Sequence, residues 1–117
     1  MTVNPFLGLD RTYRNYIDGV FVDATTSLID VTNPATGAII ARVPDSSQTD
    51  VDNAVKAARK AQGDWERRAA IERAGYLRQI SAKIRENRAA LADVLVKEQG
   101  KVQGLAQVEV DFTADYI

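Results

Sequence analysis

The side chains of this chain that could do chemistry are carboxylates and lysines, and Glu98 stands out among them. Glu98 continues the apolar series Leu91, Val94 and Leu95 at the next helical step, so we expect its carboxylate to point inward. A buried carboxylate needs hydrogen-bond donors or a cation nearby. We interpret Glu98 as a structural carboxylate, with Lys101 as a candidate partner, in preference to a cation ligand or a catalytic base.

The residue types that are missing narrow the chemistry further. The 117 residues include no cysteine and no histidine, so no side chain titrates near neutral pH in its unperturbed state and no thiolate is available. Catalysis by Cys-His or Ser-His-Asp groups and the common zinc sites are excluded. Carboxylate or lysine chemistry remains, but spacing alone identifies neither. We therefore predict no catalytic residue and no catalysis by this chain alone.

Composition and charge are those of an ordinary globular protein. The chain is 45% hydrophobic and 26% charged with a net charge of −1, which excludes a partner bound mainly through charge, such as nucleic acid. Between Trp65 and Arg88 there are seven basic and three acidic residues. Only Trp65 and Tyr76 are aromatic there, and the basic residues do not share one helical face, so an ion-paired solvated surface is favoured over a nucleic-acid surface.

Targeting and nucleotide-binding signals are not found in the sequence. It has neither a signal-peptide pattern nor a run of about 18 apolar residues, so no membrane span is predicted. The absence of cysteine is compatible with a cytoplasmic protein, which is our expectation. No GxGxxG or GxxxxGK[ST] run occurs, so we predict no cofactor-binding residue.

The first third of the chain is predicted to form short strands. Residues 1–12 lack periodicity and are expected to be a mobile arm. Asp18-Gly19 is a dipeptide favoured in two-residue hairpin turns, so a tight hairpin is predicted around it. Further strands are predicted over residues 27–32 and 38–43, with a turn at Asn33-Pro34-Ala35-Thr36-Gly37 between them and Pro44 ending the second.

From residue 49 to residue 117 the period is helical. Thr49 and Asp52 predict the start of a first helix that carries an apolar stripe and ends before Gly63, with Trp65 in the following turn. The apolar spacing predicts a second helix over residues 70–87 and a third from Arg88 that stops at Gly100. The inward stripes predicted from this spacing are Val51, Ala54, Val55 and Ala58, then Ile71, Ala74, Leu77, Ile80 and Ile84.

The last segment predicts the start of a fourth helix. Leu105, Val108 and Phe112 lie on one face, no stop signal follows them, and we expect this helix to continue and its apolar face to need a partner. The sequence thus predicts an α+β fold in which residues 13–44 form a small antiparallel strand and hairpin unit and residues 49–117 form helices. Residues 13–117 are expected to be an incomplete domain.

Several motifs in a fixed order resemble the amino-terminal region of the aldehyde dehydrogenase family. They are the Tyr16-Ile17-Asp18-Gly19 hairpin, the NPATG turn, the helix containing residues 50–58, a tryptophan, the helix start Ala70-Ile71-Glu72-Arg73-Ala74, and the corner Glu98-Gln99-Gly100-Lys101. Each motif is weak alone, but the ordered set is specific and covers residues 14–117. The helix start and residues 97–117 look most like the lactaldehyde and glycolaldehyde dehydrogenase branch.

The resemblance implies a parent enzyme that oxidises an aldehyde to an acid with NAD or NADP. In that family catalysis uses a cysteine nucleophile, a glutamate base and an asparagine that stabilises the oxyanion, and a Rossmann-like domain binds the cofactor. None of these motifs has a match in this chain. The resemblance implies that this region serves in scaffolding and subunit contacts of a homo-oligomer. Some members also hold a monovalent cation, Na or K, and the matching positions are Glu98, Val31 and Thr32. The alternative is a free-standing helical interaction module that docks on a full-length dehydrogenase.

Overall fold

Short strands are followed by four helices in the computed structural model, which describes residues 11–23 and 25–117. The strands are β1 (Arg11–Thr12), β2 (Asn15–Ile17), β3 (Val20–Val22), β4 (Leu28–Thr32) and β5 (Ile39–Pro44). The helices are α1 (Gln48–Glu66), α2 (Ala70–Glu86), α3 (Arg88–Gln99) and α4 (Gln103–Tyr116). The predicted α+β class and order are confirmed. The predicted arm lies outside the described residues except at Arg11 and Thr12, which form β1.

The β2–β3 hairpin follows from its two turn residues. Asp18 has φ 51° and Gly19 has φ 82°, and positive φ at both central residues is what a type I′ turn requires. Ile17 and Val20 are the pair next to the turn, while the rings of Tyr16 and Phe21 lie 5.0 Å apart. The predicted hairpin is confirmed, and the turn chemistry determines its register.

A three-stranded sheet has the order β1-β5-β4. β4 and β5 are antiparallel and are joined by the predicted turn, in which the Gly37 N–H donates to the Asn33 carbonyl at 2.8 Å and Gly37 has φ 71°. β1 pairs in parallel with β5, placing Arg11 opposite Ala41. That parallel pairing was not predicted, since two residues carry too little periodicity to indicate a strand.

Helix α1 begins at a different cap from the predicted one. Ser47, not Thr49, is the N-cap: its hydroxyl accepts the Asp50 N–H, and the Asp50 carboxylate accepts the Ser47 N–H. Reciprocal bonding of this kind satisfies donors that the first turn leaves unpaired. The helix also runs past Gly63 to Glu66, so Trp65 lies within it and contacts the Tyr76 ring at 5.4 Å. The predicted end before Gly63 is therefore wrong.

The apolar stripes of α1 and α2 are more exposed than predicted. Val51 and Val55 are 48% and 49% exposed, and no residue of α1 is buried. On α2, Ile71, Leu77 and Ile80 are also exposed, whereas Ala74 and Ile84 are half-buried. The prediction that these stripes point inward is therefore wrong for most of their residues, because no described element covers them.

The helical core lies where α4 packs on α2 and α3. Ala92, Ala106 and Val110 are buried together, with Ile84, Leu91, Leu95 and Val96 packed against them. α4 thus presents Ala106, Val110 and Ala114 to its neighbours, while Leu105, Val108 and Phe112 are 63%, 61% and 66% exposed. None of the four helices in the described part of the chain has the length and apolar character needed to cross a membrane.

Candidate functional site

The corner between α3 and α4 is where two of the sequence motifs meet in space, the Glu98–Lys101 corner and the Asn33–Gly37 turn. Gly100 ends α3 in the left-handed conformation, with φ 69°, and its N–H donates to the Val96 carbonyl at 2.9 Å. A Cβ atom placed on Gly100 would lie 3.1 Å from Pro34 Cγ. The corner therefore rests directly on the Asn33–Gly37 turn, and glycine is needed both for the conformation and for the close approach.

The strand that enters this turn carries an irregularity at the two predicted ligand positions. Val31 pairs with Ala41 but Thr32 pairs with Ile39, so the β4–β5 register shifts between Val31 and Thr32. A bulge of this kind interrupts the regular ladder and redirects backbone groups. Val31 is half-buried and Thr32 is exposed. The turn after β4 approaches the corner through Pro34, and the cation role of Val31, Thr32 and Glu98 stays a prediction.

Glu98 does not lie in the interior. Its side chain is exposed, so the prediction of an inward carboxylate is wrong for the chain as described. The reason is helical phase: the buried line of α3 passes through Ala92 and Val96, four residues apart, while Leu91 and Leu95 flank it. Glu98 lies to one side of that line. Its exposure removes the need for a buried partner.

Lys101, the suggested partner of Glu98, pairs with a different carboxylate. Its Nζ atom forms an ion pair with Glu109 of α4. The residue thus links the corner to the helix that follows, two turns farther along the chain. The sequence analysis did not predict this pair, because eight residues is longer than the three- and four-residue spacings at which helical side chains usually pair.

Two arginines near the α2–α3 junction form ion pairs with two aspartates of α4. Arg88 Nε donates to Asp111 Oδ1 at 2.7 Å, and Arg85 pairs with Asp115. The hydrogen bond from Arg88 lowers the pKa of Asp111, and the same bond raises the pKa of Arg88. The one sequence signal for these pairs was the position of Asp111 and Asp115 in the carboxyl-terminal half of α4, where the helix dipole disfavours anions.

Helix amino ends and clusters of acidic residues are the features of this chain that bear on a cofactor or metal site. The amino ends of α1 and α2 could in principle hold a phosphate, but each is occupied by a carboxylate of its own helix, Asp50 bonding the Ser47 N–H and Glu72 bonding the Ala69 N–H. Across residues 11–23 and 25–117, no three acidic residues cluster as a metal site. The cation prediction involves one carboxylate and two carbonyls, so it is not tested by that search and stays a prediction.

The contacts of the corner join α3, α4 and the turn after β4. Gly100 ends α3 in the left-handed conformation and lies close to Pro34, and Lys101 pairs with Glu109 of α4. No nucleophilic thiol or imidazole is available to it, since the sequence has neither cysteine nor histidine. The site is a joint between elements, and its ionisable groups are the Glu98 carboxylate and the Lys101 amine.

Known proteins that match this sequence belong to the family that the ordered motifs resemble. The sequence pattern of the aldehyde dehydrogenase family matches residues 21–117. Lactaldehyde dehydrogenase from Escherichia coli is 53% identical over 103 residues, covering 87% of this chain and 22% of that protein. The 3,6-anhydro-alpha-L-galactose dehydrogenase of Vibrio sp. (strain EJY3) is 41% identical over 108 residues, covering 92% of this chain and 22% of that protein.

Solved structures agree with the sequence matches. The crystal structure of lactaldehyde dehydrogenase from Escherichia coli superposes with a TM-score of 0.88 at 50% identity, over 91% of this chain and 22% of that chain. A 3,6-anhydro-L-galactose dehydrogenase in complex with NAP gives a TM-score of 0.87 at 34% identity, over 91% and 22% of the two chains. The match to the Escherichia coli enzyme lies in its amino-terminal part.

The matches cover only a small part of each relative. The chain spans about a fifth of the length of the curated relatives it matches. Within that span the strand and hairpin unit, the turn after β4 and the glycine corner all fall in the order that the resemblance implied. The agreement of sequence pattern, identity and fold establishes that this chain belongs to the aldehyde dehydrogenase family.

Proposed function

We propose that this chain is the amino-terminal segment of a cytoplasmic, NAD(P)-dependent aldehyde dehydrogenase that oxidises a small aldehyde such as lactaldehyde or glycolaldehyde. In that role it is a scaffold and assembly segment, and by itself it is inactive. The full-length parent is a homo-oligomer. NAD or NADP binds to parts of the parent other than this chain.

One observation carries the proposal: the fold matches an Escherichia coli lactaldehyde dehydrogenase structure over 91% of this chain but over only 22% of that protein. Relatives of this fold have been solved in complex with NAP and with NAD+, which supports the cofactor class. The corner at Gly100 and the helix-capping carboxylates Asp50 and Glu72 supply positioning and no chemistry. A scaffold role is what these residues can perform.

The first experiment measures the chain alone. Purified protein is mixed with lactaldehyde or glycolaldehyde and NAD or NADP, and reduced cofactor is followed by absorbance. We expect a rate equal to that of buffer, because acyl transfer in this family needs a nucleophile that the chain lacks. Turnover that persists after repurification would refute the inactive-scaffold role.

The second experiment tests the role in assembly with a chimera. This chain replaces the matched amino-terminal segment of Escherichia coli lactaldehyde dehydrogenase, whose remainder supplies the other parts. We expect an oligomer that oxidises lactaldehyde, because the two segments share their fold at 50% sequence identity. A matched chimera carrying Gly100→Val, which distorts the corner, should lose assembly. A chimera that folds but does not assemble, or that assembles without activity, would contradict the scaffold role.

The alternative function is a free-standing module that docks on a full-length dehydrogenase. The exposed large residues favour it, since Tyr16 of the hairpin is 65% exposed and Phe112 of α4 is 66% exposed. Sedimentation of the chain with intact Escherichia coli lactaldehyde dehydrogenase separates the two ideas. Binding that Phe112→Asp abolishes would support the module, whereas self-association that Phe112→Asp abolishes would support an uncovered segment.

A further inference from the structure

Helix α4 carries two apolar faces and docks with the smaller one. Ala106, Val110 and Ala114, spaced four residues apart, are 0%, 5% and 2% exposed against α2 and α3. The opposite face has larger side chains, which remain exposed: Leu105, Val108, Phe112 and Tyr116. Because the favourable free energy of burial grows with apolar area, hydrophobicity alone would favour the larger face against the neighbouring helices. Some other feature must select the face.

The polar contacts of α4 are arranged around the small face. On one side of it, Asp111 bonds to Arg88 at 2.7 Å and Asp115 pairs with Arg85. At the same end, Ser81 Oγ donates to the Ala114 carbonyl at 2.6 Å. Residues 111 and 115 are one helical turn apart, so both carboxylates project along one edge of the docked face. Both arginines come from the elements against which that face packs.

We propose that the Arg88–Asp111 and Arg85–Asp115 ion pairs select which face of α4 docks on α2 and α3. Bringing Phe112 inward requires rotating α4 by about half a turn, which carries both carboxylates away from the two arginines. Partly exposed ion pairs contribute little to overall stability, but charge pairs specify register and orientation where two apolar arrangements compete.

The experiment uses single cysteines as reporters, because the chain has none of its own. Val108→Cys reports the exposed face and Val110→Cys the docked face, and both replace valine by a side chain of similar size. Thiol labelling at low protein concentration gives the ratio of the two rates. We expect Val108→Cys to react at least about tenfold faster in the otherwise unchanged chain, since labelling of a buried thiol requires local opening.

The charge at residue 111 is then reversed in both reporter backgrounds. Asp111→Arg should reduce the labelling ratio several-fold, and adding Arg88→Asp should restore it by rebuilding the pair in the opposite sense. Asp93→Arg is the matched control, because Asp93 forms its ion pair with Lys97 within α3, at 2.9 Å. This control should leave the ratio unchanged.

Two results would overturn the proposal. A ratio that Asp111→Arg leaves intact would mean that packing of the alanine face alone selects the orientation. A reduced ratio that Arg88→Asp fails to restore would mean that Asp111 acts by another route. If Asp111→Arg unfolds the chain, as judged by circular dichroism, the neutral double variant Asp111→Asn with Asp115→Asn takes its place. In that variant a lowered ratio supports face selection and an unchanged one refutes it.

Discussion

Helices α1 and α4 are both amphipathic, but they are held in different ways. α1 has a capping box at Ser47 and no buried residue. α4 has Val102 as its N-cap residue and no side-chain cap, yet it buries Ala106, Val110 and Ala114. One helix is specified by its own sequence and the other by its neighbours. The comparison shows that one helix of a short chain can depend on contacts within its own sequence while another depends on packing against other helices. Substitutions at the cap of α1 and at the buried face of α4 test this difference.

The largest effect is expected at the tertiary contact. Ala92 of α3 is fully buried against Ala106 and Val110 of α4. Ala92→Leu adds a large side chain to this contact and should lower the free energy of unfolding by about 1–3 kcal/mol. Ala90→Leu, at an exposed position of the same helix, is the control and should change little. The measurement is urea denaturation followed by circular dichroism. Equal midpoints for the two variants would show that α4 does not pack tightly on α3.

The joint at Gly100 should give the next largest effect. Gly100→Ala places a Cβ atom in the left-handed conformation and 3.1 Å from Pro34 Cγ, which should cost about 1–2 kcal/mol of stability. Gly75 lies inside α2 with open space around it. Gly75→Ala should therefore stabilise the chain by about 0.5–1 kcal/mol. The opposite signs are checked by thermal unfolding, and a stabilised Gly100→Ala variant would contradict the geometry of the corner.

The local specification of α1 is tested at its cap. Ser47→Ala removes the hydroxyl that accepts the Asp50 N–H at 3.2 Å and should destabilise the helix by about 1 kcal/mol. Thr49→Ala, at the cap position predicted from the sequence, should change stability by less than about 0.5 kcal/mol. Hydrogen exchange of the first-turn amides gives the comparison. Greater loss of protection in Thr49→Ala would restore the sequence-based assignment.

The smallest effect is the pH dependence of the same cap. Hydrogen bonds from the side chain and then the backbone of Ser47 lower the pKa of Asp50. A carboxylate with a lowered folded-state pKa contributes stability in full above its unfolded-state value of about 4, and the contribution disappears as pH falls through the folded-state pKa. Asp50→Asn should therefore flatten the acid limb of a stability curve between about pH 5 and pH 2. A parallel curve for Asp52→Asn, which leaves the capping box intact, is the control.

Features that depend on a few adjacent residues could be predicted from the sequence. Asp18-Gly19 predicted the hairpin and Gly100 predicted the end of α3, because each needs a positive φ that few residue types adopt. The cap at Ser47 was also within reach, since Ser47 and Asp50 have the capping-box spacing. Thr49 and Asp52 have the same spacing, so the sequence alone does not decide between the two possible N-caps.

Features that depend on which element covers which face could not be predicted. The apolar series Leu91, Val94 and Leu95 indicated the wrong direction for Glu98 because alanine, at Ala92, marks the true centre of the buried line. Close helix packing selects small residues, which periodicity of large side chains overlooks. For the same reason the buried face of α4 was missed. The ion pairs of Arg85 and Arg88 depend on residues more than twenty positions away.

The parallel pairing of β1 with β5 implies an order of folding. The β2–β3 hairpin and the β4–β5 pair each close within a short stretch of chain, whereas Arg11 must find Ala41 across two completed hairpins. Closing the longer loop costs more chain entropy and returns only a two-residue pairing. We expect β1 to pair with β5 last during folding and to separate from it first during unfolding. Pulse-labelling hydrogen exchange should show protection of the Tyr13 N–H, which donates to the Arg42 carbonyl, after that of β4 and β5.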